Sequence, residues 1–218
     1  MVLKRMRAAD FERKRPAVEL RWLAWKALAH LGLLFPLAWL IKQALNDSLG
    51  ADPVAEITHR TGLWALRILL LSLAMTPLRR LSGQTWPIRF RRLTGLYAFF
   101  YASLHLAVYL LLDLQGYWPQ VLSDLVSKPF IIAGFSAWLL LLPLALTSTQ
   151  GWMRRLGKRW ARLHTLVYAI GMLAVLHFLW LVKSDLREPA LYAGSLAVLL
   201  GLRLYWRLGK TQPPRRGA

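Results

Sequence analysis

Long apolar runs separated by short polar segments dominate the chain from residue 22 onward. A helix needs about 20 apolar residues to cross a bilayer core, and these runs approach or reach that length. They are continuous and do not alternate, so they favour helices over the strands of a membrane barrel. The pattern predicts an all-α, polytopic bundle of six transmembrane helices: Trp22–Leu45, Leu63–Pro77, Leu93–Leu112, Phe130–Thr147, Leu163–Val182 and Leu191–Leu208.

The limits of the membrane domain follow from these runs. The second run is the shortest, and we expect its helix to begin near His59, inside the segment Glu56–Gly62. Residues 22–208 are predicted to form one membrane domain between two basic tails, 1–21 and 209–218. The apolar stretch after residue 21 is too long for a signal peptide and has no small-residue cleavage pattern, so we expect the first tail to remain in the cytoplasm. We find no internal repeat.

The connecting segments differ in charge from one side of the predicted bundle to the other. Because loops rich in Lys and Arg stay on the cytoplasmic side, the distribution predicts that both termini are cytoplasmic. The basic group comprises Arg79, Arg80, Arg89, Arg91, Arg92, Arg154, Arg155, Lys158, Arg159, Arg162, Arg207, Lys210, Arg215 and Arg216. The opposite segments hold Asp47, Asp52, Glu56, Asp113, Asp124, Asp185 and Glu188.

Composition narrows the classes of function. The formal net charge of +19 would suit a nucleic-acid-binding protein, but the basic residues lie in short segments between apolar runs and not on one soluble face. The chain has no cysteine, which excludes disulfides, iron–sulfur clusters and thiolate ligands. It has neither a glycine-rich dinucleotide fingerprint nor a P-loop. If the protein transfers electrons, its donor and acceptor domains must therefore be separate chains.

Histidines within the apolar runs are the strongest candidates for chemistry, because ionisable residues in membrane helices are costly and are functional candidates. His105 lies in the third run and His177 in the fifth, which crosses in the same direction, so their side chains can reach a similar depth. Two imidazoles that face each other from neighbouring helices can form the two axial ligands of a six-coordinate haem b. The alternative for any single histidine is a hydrogen-bonded packing residue.

The remaining histidines are less clearly assigned. His164 precedes His177 by 13 residues, which is a rise of about 19.5 Å and a rotation of about 140° on an ideal helix. Both could serve as ligands only with a bulge or with two binding directions. His30, near the cytoplasmic end of the first run, is a weaker ligand candidate. His59, at the outer mouth of the second run, is interpreted as an interface or partner-contact residue.

Several motifs occur together over nearly the whole chain. They are Gly50-Ala-Asp-Pro-Val54 with His59 and Thr61-Gly62, Arg91-Arg-Leu-Thr-Gly-Leu96 leading to His105, Leu146-Thr-Ser-Thr-Gln150, Leu156-Gly-Lys with Trp160 and Leu163-His164, and His177-Phe-Leu-Trp-Leu-Val-Lys183. In combination they resemble the MsrQ (formerly YedZ) family, the haem-binding membrane subunits of bacterial protein-methionine-sulfoxide reductase systems. That family belongs to the ferric-reductase-like transmembrane superfamily.

The resemblance implies a haem b protein of the bacterial inner membrane that passes electrons to a periplasmic molybdopterin subunit, which repairs oxidised methionines in periplasmic proteins. It implies the quinone pool or a cytosolic flavin reductase as donor, FMN as a further cofactor, and haem ligands at His105, His164 and His177. Superfamily members with two stacked haems carry two histidines per ligand helix. The matching inner position here is Arg91, which suits a propionate better than iron, so one or two haems are expected.

Haem propionates also need cations. Arg67, deep in the second run, and Lys183, six residues after His177, are candidate propionate partners, with snorkelling as the alternative. Because an outer haem alone would accept electrons poorly from the cytoplasmic side, we expect a second redox group near His164, with Arg91 close to it. On the outer side, His59 with Asp47, Asp52 and Glu56 is predicted to form the docking face for the periplasmic partner.

Two other functions fit parts of the pattern. A stand-alone ferric reductase would use the same histidines, but the chain has no soluble flavin domain. A transporter with a histidine proton relay would need carboxylates inside the helices, and apart from boundary residues such as Asp113 there are none.

Overall fold

The computed structural model describes the backbone of residues 2–209 and the side chains of residues 20–209. The predicted C-terminal tail beyond residue 209 and the side chains of the predicted N-terminal tail up to residue 19 lie outside the described residues. Helices account for nearly all of the described chain and residues 2–209 contain no strand, which confirms the predicted all-α class.

The elements are α1 (Val2–Leu45), α2 (Pro53–Ser82), α3 (Trp86–Val108), a π-helical turn (Tyr109–Asp113), α4 (Trp118–Ser127), α5 (Pro129–Leu146), α6 (Gln150–Leu156), α7 (Lys158–Leu163), a 3-10 turn (His164–Leu166), α8 (Val167–Leu181) and α9 (Arg187–Leu208).

Five helical segments among the described residues are long and apolar enough to cross a membrane. They are Leu20–Leu45, Pro53–Ser82, Trp86–Asp113, Pro129–Leu146 and Lys158–Leu181. The sixth predicted run is helical as α9, but it is not among these five segments. The described residues therefore support a multi-pass membrane protein with five candidate spans, and α9 is a further helix outside that set.

Prolines and caps explain where several helices begin. Proline occupies one of the first two positions of α2, α3, α4 and α5, where its missing N–H is not needed. Asp52 caps α2 by accepting a hydrogen bond from the Ala55 N–H at 3.0 Å. This cap makes α2 begin at Pro53, earlier than the sequence predicted. At its other end, α2 stops at Gly83, whose φ of 69° is left-handed.

The described chain forms two compact units, one up to residue 49 and one from residue 50. In the second unit, α2 packs against α3 and α5 packs against α8, while α9 contacts α2 and α8. The apolar core of this unit joins α2, α8 and α9 through Leu66, Leu70, Leu73, Val175, Phe178 and Leu196. We call the end that holds the starts of α2, α5 and α9 the outer end, and the opposite end the inner end.

Candidate functional site

Two histidines face each other near the outer end of the second unit. His105 lies on α3 and His177 lies on α8, and their ring centroids are 6.1 Å apart with the ring planes at 75°. Imidazole nitrogens bind a first-row metal at about 2.0 Å, so two rings on opposite sides of one ion have centroids about 6 Å apart. The structure therefore brings the two residues together, as expected, at a separation that fits two ligands of one metal.

Backbone carbonyls orient both rings. His105 Nδ1 lies 2.9 Å from the carbonyl oxygen of Thr58, and His177 Nδ1 lies 2.7 Å from that of Phe130. A carbonyl can only accept, so each Nδ1 carries the proton and donates it. The other nitrogen, Nε2, is then left with its lone pair free. Such a bond from the second nitrogen commonly orients a metal-binding histidine and raises its basicity.

A glycine lies beside each ring. A Cβ on Gly62 would come 3.0 Å from His105 Cε1, and one on Gly134 would come 2.7 Å from His177 Nδ1. Each glycine follows, by four positions, the residue whose carbonyl the histidine contacts. It therefore lies about one helical turn further along, on the same face of the helix as that carbonyl. A side chain there would prevent the ring from reaching the oxygen.

The two halves of the site repeat each other. In both, the histidine follows its carbonyl acceptor by 47 residues, first from Thr58 to His105 and then from Phe130 to His177. The helix pairs α2–α3 and α5–α8 therefore supply the same arrangement twice. Side-chain identities around the two halves differ, which explains why no internal repeat is visible in the sequence.

A buried carboxylate connects the outer ends of these halves. Asp124, on the short helix α4 that the sequence did not predict, is 1% exposed. It accepts hydrogen bonds from Tyr109 at 2.7 Å, Gln120 at 2.7 Å and Lys128 at 2.8 Å. The Lys128 ammonium and the Tyr109 hydroxyl hold the pKa of Asp124 below its usual range. Tyr109 is one turn after His105, and Lys128 is the residue just before α5, so this network braces both halves.

His164 lies near the inner end, in the 3-10 turn between α7 and α8. Its ring stacks on Trp160 with centroids 3.9 Å apart, and its Nδ1 lies 3.1 Å from the Trp160 carbonyl oxygen. Its Nε2 is buried and has no hydrogen-bond partner among the described residues. Trp160 is fixed in turn by its own bond to the Thr147 carbonyl at 2.9 Å. The 3-10 turn interrupts the helix at His164 itself, between α7 and α8.

The predicted cations have different surroundings. Arg67 donates to the Tyr192 hydroxyl at 2.7 Å and forms an ion pair with Glu188 at 3.3 Å, so α2 and α9 share it. Lys183 is exposed in the segment after α8. Arg91 is half-buried near the inner end, within electrostatic reach of His164.

The residues predicted to dock a partner lie at the outer end or in the first unit. His59 is exposed, and its ring lies 6.1 Å from the ring of Phe178, the neighbour of His177. Glu56 pairs with Arg60 one turn along α2, and Asp52 is the cap of that helix. Asp47, with a left-handed φ of 49°, and the weak ligand candidate His30 belong to the first unit.

The sequence indicated no role beside the histidines for Gly62 or Gly134. It placed Asp124 only among the acidic outer residues and did not single out Arg203. The glycines carry no signal on their own, since their role depends on a histidine 43 residues away. Arg203 could have been found as a charged residue within a long apolar run. The buried position of Asp124 follows only from the packing of α4.

Comparison with known proteins places these features in a family. Residues 61–176 match the ferric reductase like transmembrane component. The chain is 63% identical over 200 residues to the protein-methionine-sulfoxide reductase heme-binding subunit MsrQ of Xanthomonas euvesicatoria pv. vesicatoria, covering 89% of this chain and 90% of that one. It is 47% identical to the MsrQ of Herminiimonas arsenicoxydans over 184 residues, 83% of this chain and 84% of that one. No solved structure matches the chain.

Proposed function

The chain belongs to the MsrQ family of heme-binding subunits of protein-methionine-sulfoxide reductases, and we propose that it carries electrons across the membrane through a haem b held by His105 and His177. One observation carries this proposal: the two imidazoles stand 6.1 Å apart, each with Nδ1 bonded to a carbonyl and Nε2 free. The free Nε2 atoms of His105 and His177 would hold the iron of such a haem.

The ligand set favours electron transfer over substrate chemistry. Haem b supplies a one-electron iron couple when it is bound. His105 and His177 would both be used to hold the haem iron, which favours electron transfer over a stand-alone ferric reductase that binds its substrate at this iron. The Thr58 and Phe130 carbonyls keep each imidazole in one tautomer and one orientation. Gly62 and Gly134 allow the rings to keep that orientation.

Electrons are proposed to enter at the inner end, from the quinone pool or a cytosolic flavin reductase. His164 is about 20 Å along its helix from His177, so a redox group is needed between such a donor and the outer haem. We assign that group, a second haem b, FMN or a quinone, to the surroundings of His164. The unpartnered, buried Nε2 of His164 supports this assignment. Arg91 would supply positive charge there.

The electron acceptor is proposed to be a separate periplasmic molybdopterin subunit that reduces methionine sulfoxide in proteins. Its docking face would be the outer end, where His59 is exposed beside Phe178 and where Asp52 and Glu56 lie at the start of α2. This arrangement requires six spans with α9 as the last, cytoplasmic termini, and the inner membrane of a bacterium. The excess of Arg and Lys in the segments at the inner end supports that orientation.

The haem assignment can be tested with single substitutions in the full-length protein. We expect His105→Ala and His177→Ala each to abolish the low-spin b-type signal in a reduced-minus-oxidised absorbance spectrum, because each removes one axial bond of the same iron. His59→Ala is the matched control and should keep the signal, since His59 is exposed outside the pair. An unchanged spectrum and an unchanged iron content per polypeptide in either ligand variant would refute the pairing.

A further inference from the structure

Arg203, near the inner end of α9, is a cation whose partners are incomplete. Its Nη2 donates to the carbonyl oxygen of Leu73 on α2, and its guanidinium lies 4.9 Å from the ring centroid of Tyr168 on α8. Its Nε and Nη1 are buried and have no hydrogen-bond partner within the described part of the chain. A buried donor left unpaired destabilises the folded protein, and more so when it is charged. Such an arginine needs a further acceptor.

The alternative is an arginine that only reaches for the membrane surface. A snorkelling side chain directs its charge toward the headgroups. Arg203 instead reaches the carbonyl of Leu73, whose side chain is among the most deeply buried in the protein at 1% exposed. The charge therefore points into the bundle between α2 and α8.

Other unpartnered polar atoms lie in the same layer. Among the described residues, the buried side-chain atoms without a partner are Thr76 Oγ1, His164 Nε2, and the Nε and Nη1 of Arg203. Thr76 is one turn from Leu73, and His164 is one turn from Tyr168, so both are close along the chain to the groups that Arg203 contacts. Arg91 is within electrostatic reach of both His164 and Arg203. The orphaned donors and acceptors are thus confined to the inner half, and most of the charge there is positive.

We infer that Arg203 binds the anionic oxygens, carboxylate or phosphate, of the redox cofactor at the inner end, on the opposite side from the outer haem. The two unpaired N–H groups belong to one charged guanidinium, so acceptors that carry negative charge suit them best. Charge-assisted hydrogen bonds are stronger than hydrogen bonds between neutral groups. A haem propionate and the phosphate of FMN share this chemistry. The inference rests on the proposed function, but it concerns residues that the His105–His177 pair does not use.

The test compares three variants of the full-length, purified protein. Arg203→Met keeps an unbranched apolar stem and removes the guanidinium with all its donors, and Arg203→Lys keeps the charge. Arg207→Met is the matched control one turn further along α9, where the side chain is exposed. Each is measured for haem per polypeptide, for the spectrum of the outer haem, and for FMN affinity by fluorescence titration. The outer haem spectrum tests the proposed function separately: its absence from the wild-type protein would contradict that function.

We expect Arg203→Met to keep the outer haem and to lose cofactor binding at the inner end, while Arg203→Lys restores part of it and Arg207→Met matches the wild type. Loss of one haem per polypeptide identifies a propionate as the ligand. An unchanged haem content with at least about tenfold weaker FMN binding identifies the phosphate. Wild-type haem content and FMN affinity in Arg203→Met would overturn the inference. So would loss of the outer haem as well, since Arg203 would then support the bundle as a whole.

Discussion

The glycine beside each histidine gives the sharpest test of the site. In Gly134→Ala, the new Cβ would meet His177 Nδ1 at 2.7 Å, about 0.8 Å closer than an ordinary contact of about 3.5 Å. In Gly62→Ala, the Cβ would meet His105 Cε1 at 3.0 Å, about 0.5 Å too close. The ring cannot turn away without breaking its bond to the carbonyl. Inserting a methyl group into such a packed position costs about 1–3 kcal/mol.

We therefore expect both alanine variants to lower the haem content and to shift the midpoint potential of the outer haem, with Gly134→Ala the more severe. Gly194→Ala on α9 is the control, because no atom lies within 4 Å of its new Cβ. The assays are haem per polypeptide and a spectroelectrochemical titration of the purified protein. If Gly134→Ala and Gly194→Ala have the same haem content and the same potential, the glycine does not position His177 and the reasoning is refuted.

Three further predictions follow from other parts of the structure. The pKa of Asp124 is lowered in the folded state, so its carboxylate contributes stability above its ordinary pKa of about 3.9, and this contribution is lost as the pH falls through the lowered value. In Asp124→Asn, the thermal unfolding midpoint should therefore fall less steeply with decreasing pH below about pH 4 than it does in the wild type. The same pH dependence in both proteins would show that the hydrogen bonds to Asp124 do not contribute to stability. A fluorescent-protein fusion at Ala218 should fluoresce in the cytoplasm, because α9 is expected to be a sixth span; an alkaline phosphatase fusion active at that position would show the opposite orientation. His164→Ala should slow donor-driven reduction of the outer haem in stopped-flow measurements, whereas a wild-type rate would make His164 a structural residue.

Hydrophobic pattern alone predicted most of the secondary structure, because each membrane helix satisfies its own backbone hydrogen bonds and must present about 20 apolar residues to lipid. Internal hydrogen bonding and apolar length are both properties of a single segment, so they can be recognised without knowledge of the neighbouring helices. The same reasoning selected His105 and His177, since an ionisable group at that depth is too costly to occur without a reason. The helical class and the family were confirmed. The six-span count remains a prediction, because α9 is not among the five described segments that are long and apolar enough to cross a membrane.

Tertiary structure decided how those histidines are held. The acceptors of their Nδ1 protons are main-chain oxygens 47 residues away, and a carbonyl has no residue-specific signature in a sequence. The requirement for Gly62 and Gly134 exists only because α3 lies against α2 and α8 lies against α5. The same holds for Arg203, whose partners on α2 and α8 are set by the packing of α9. Local composition determined which segments are helices and which residues are costly to bury, and the contacts between helices determined what those residues can bind.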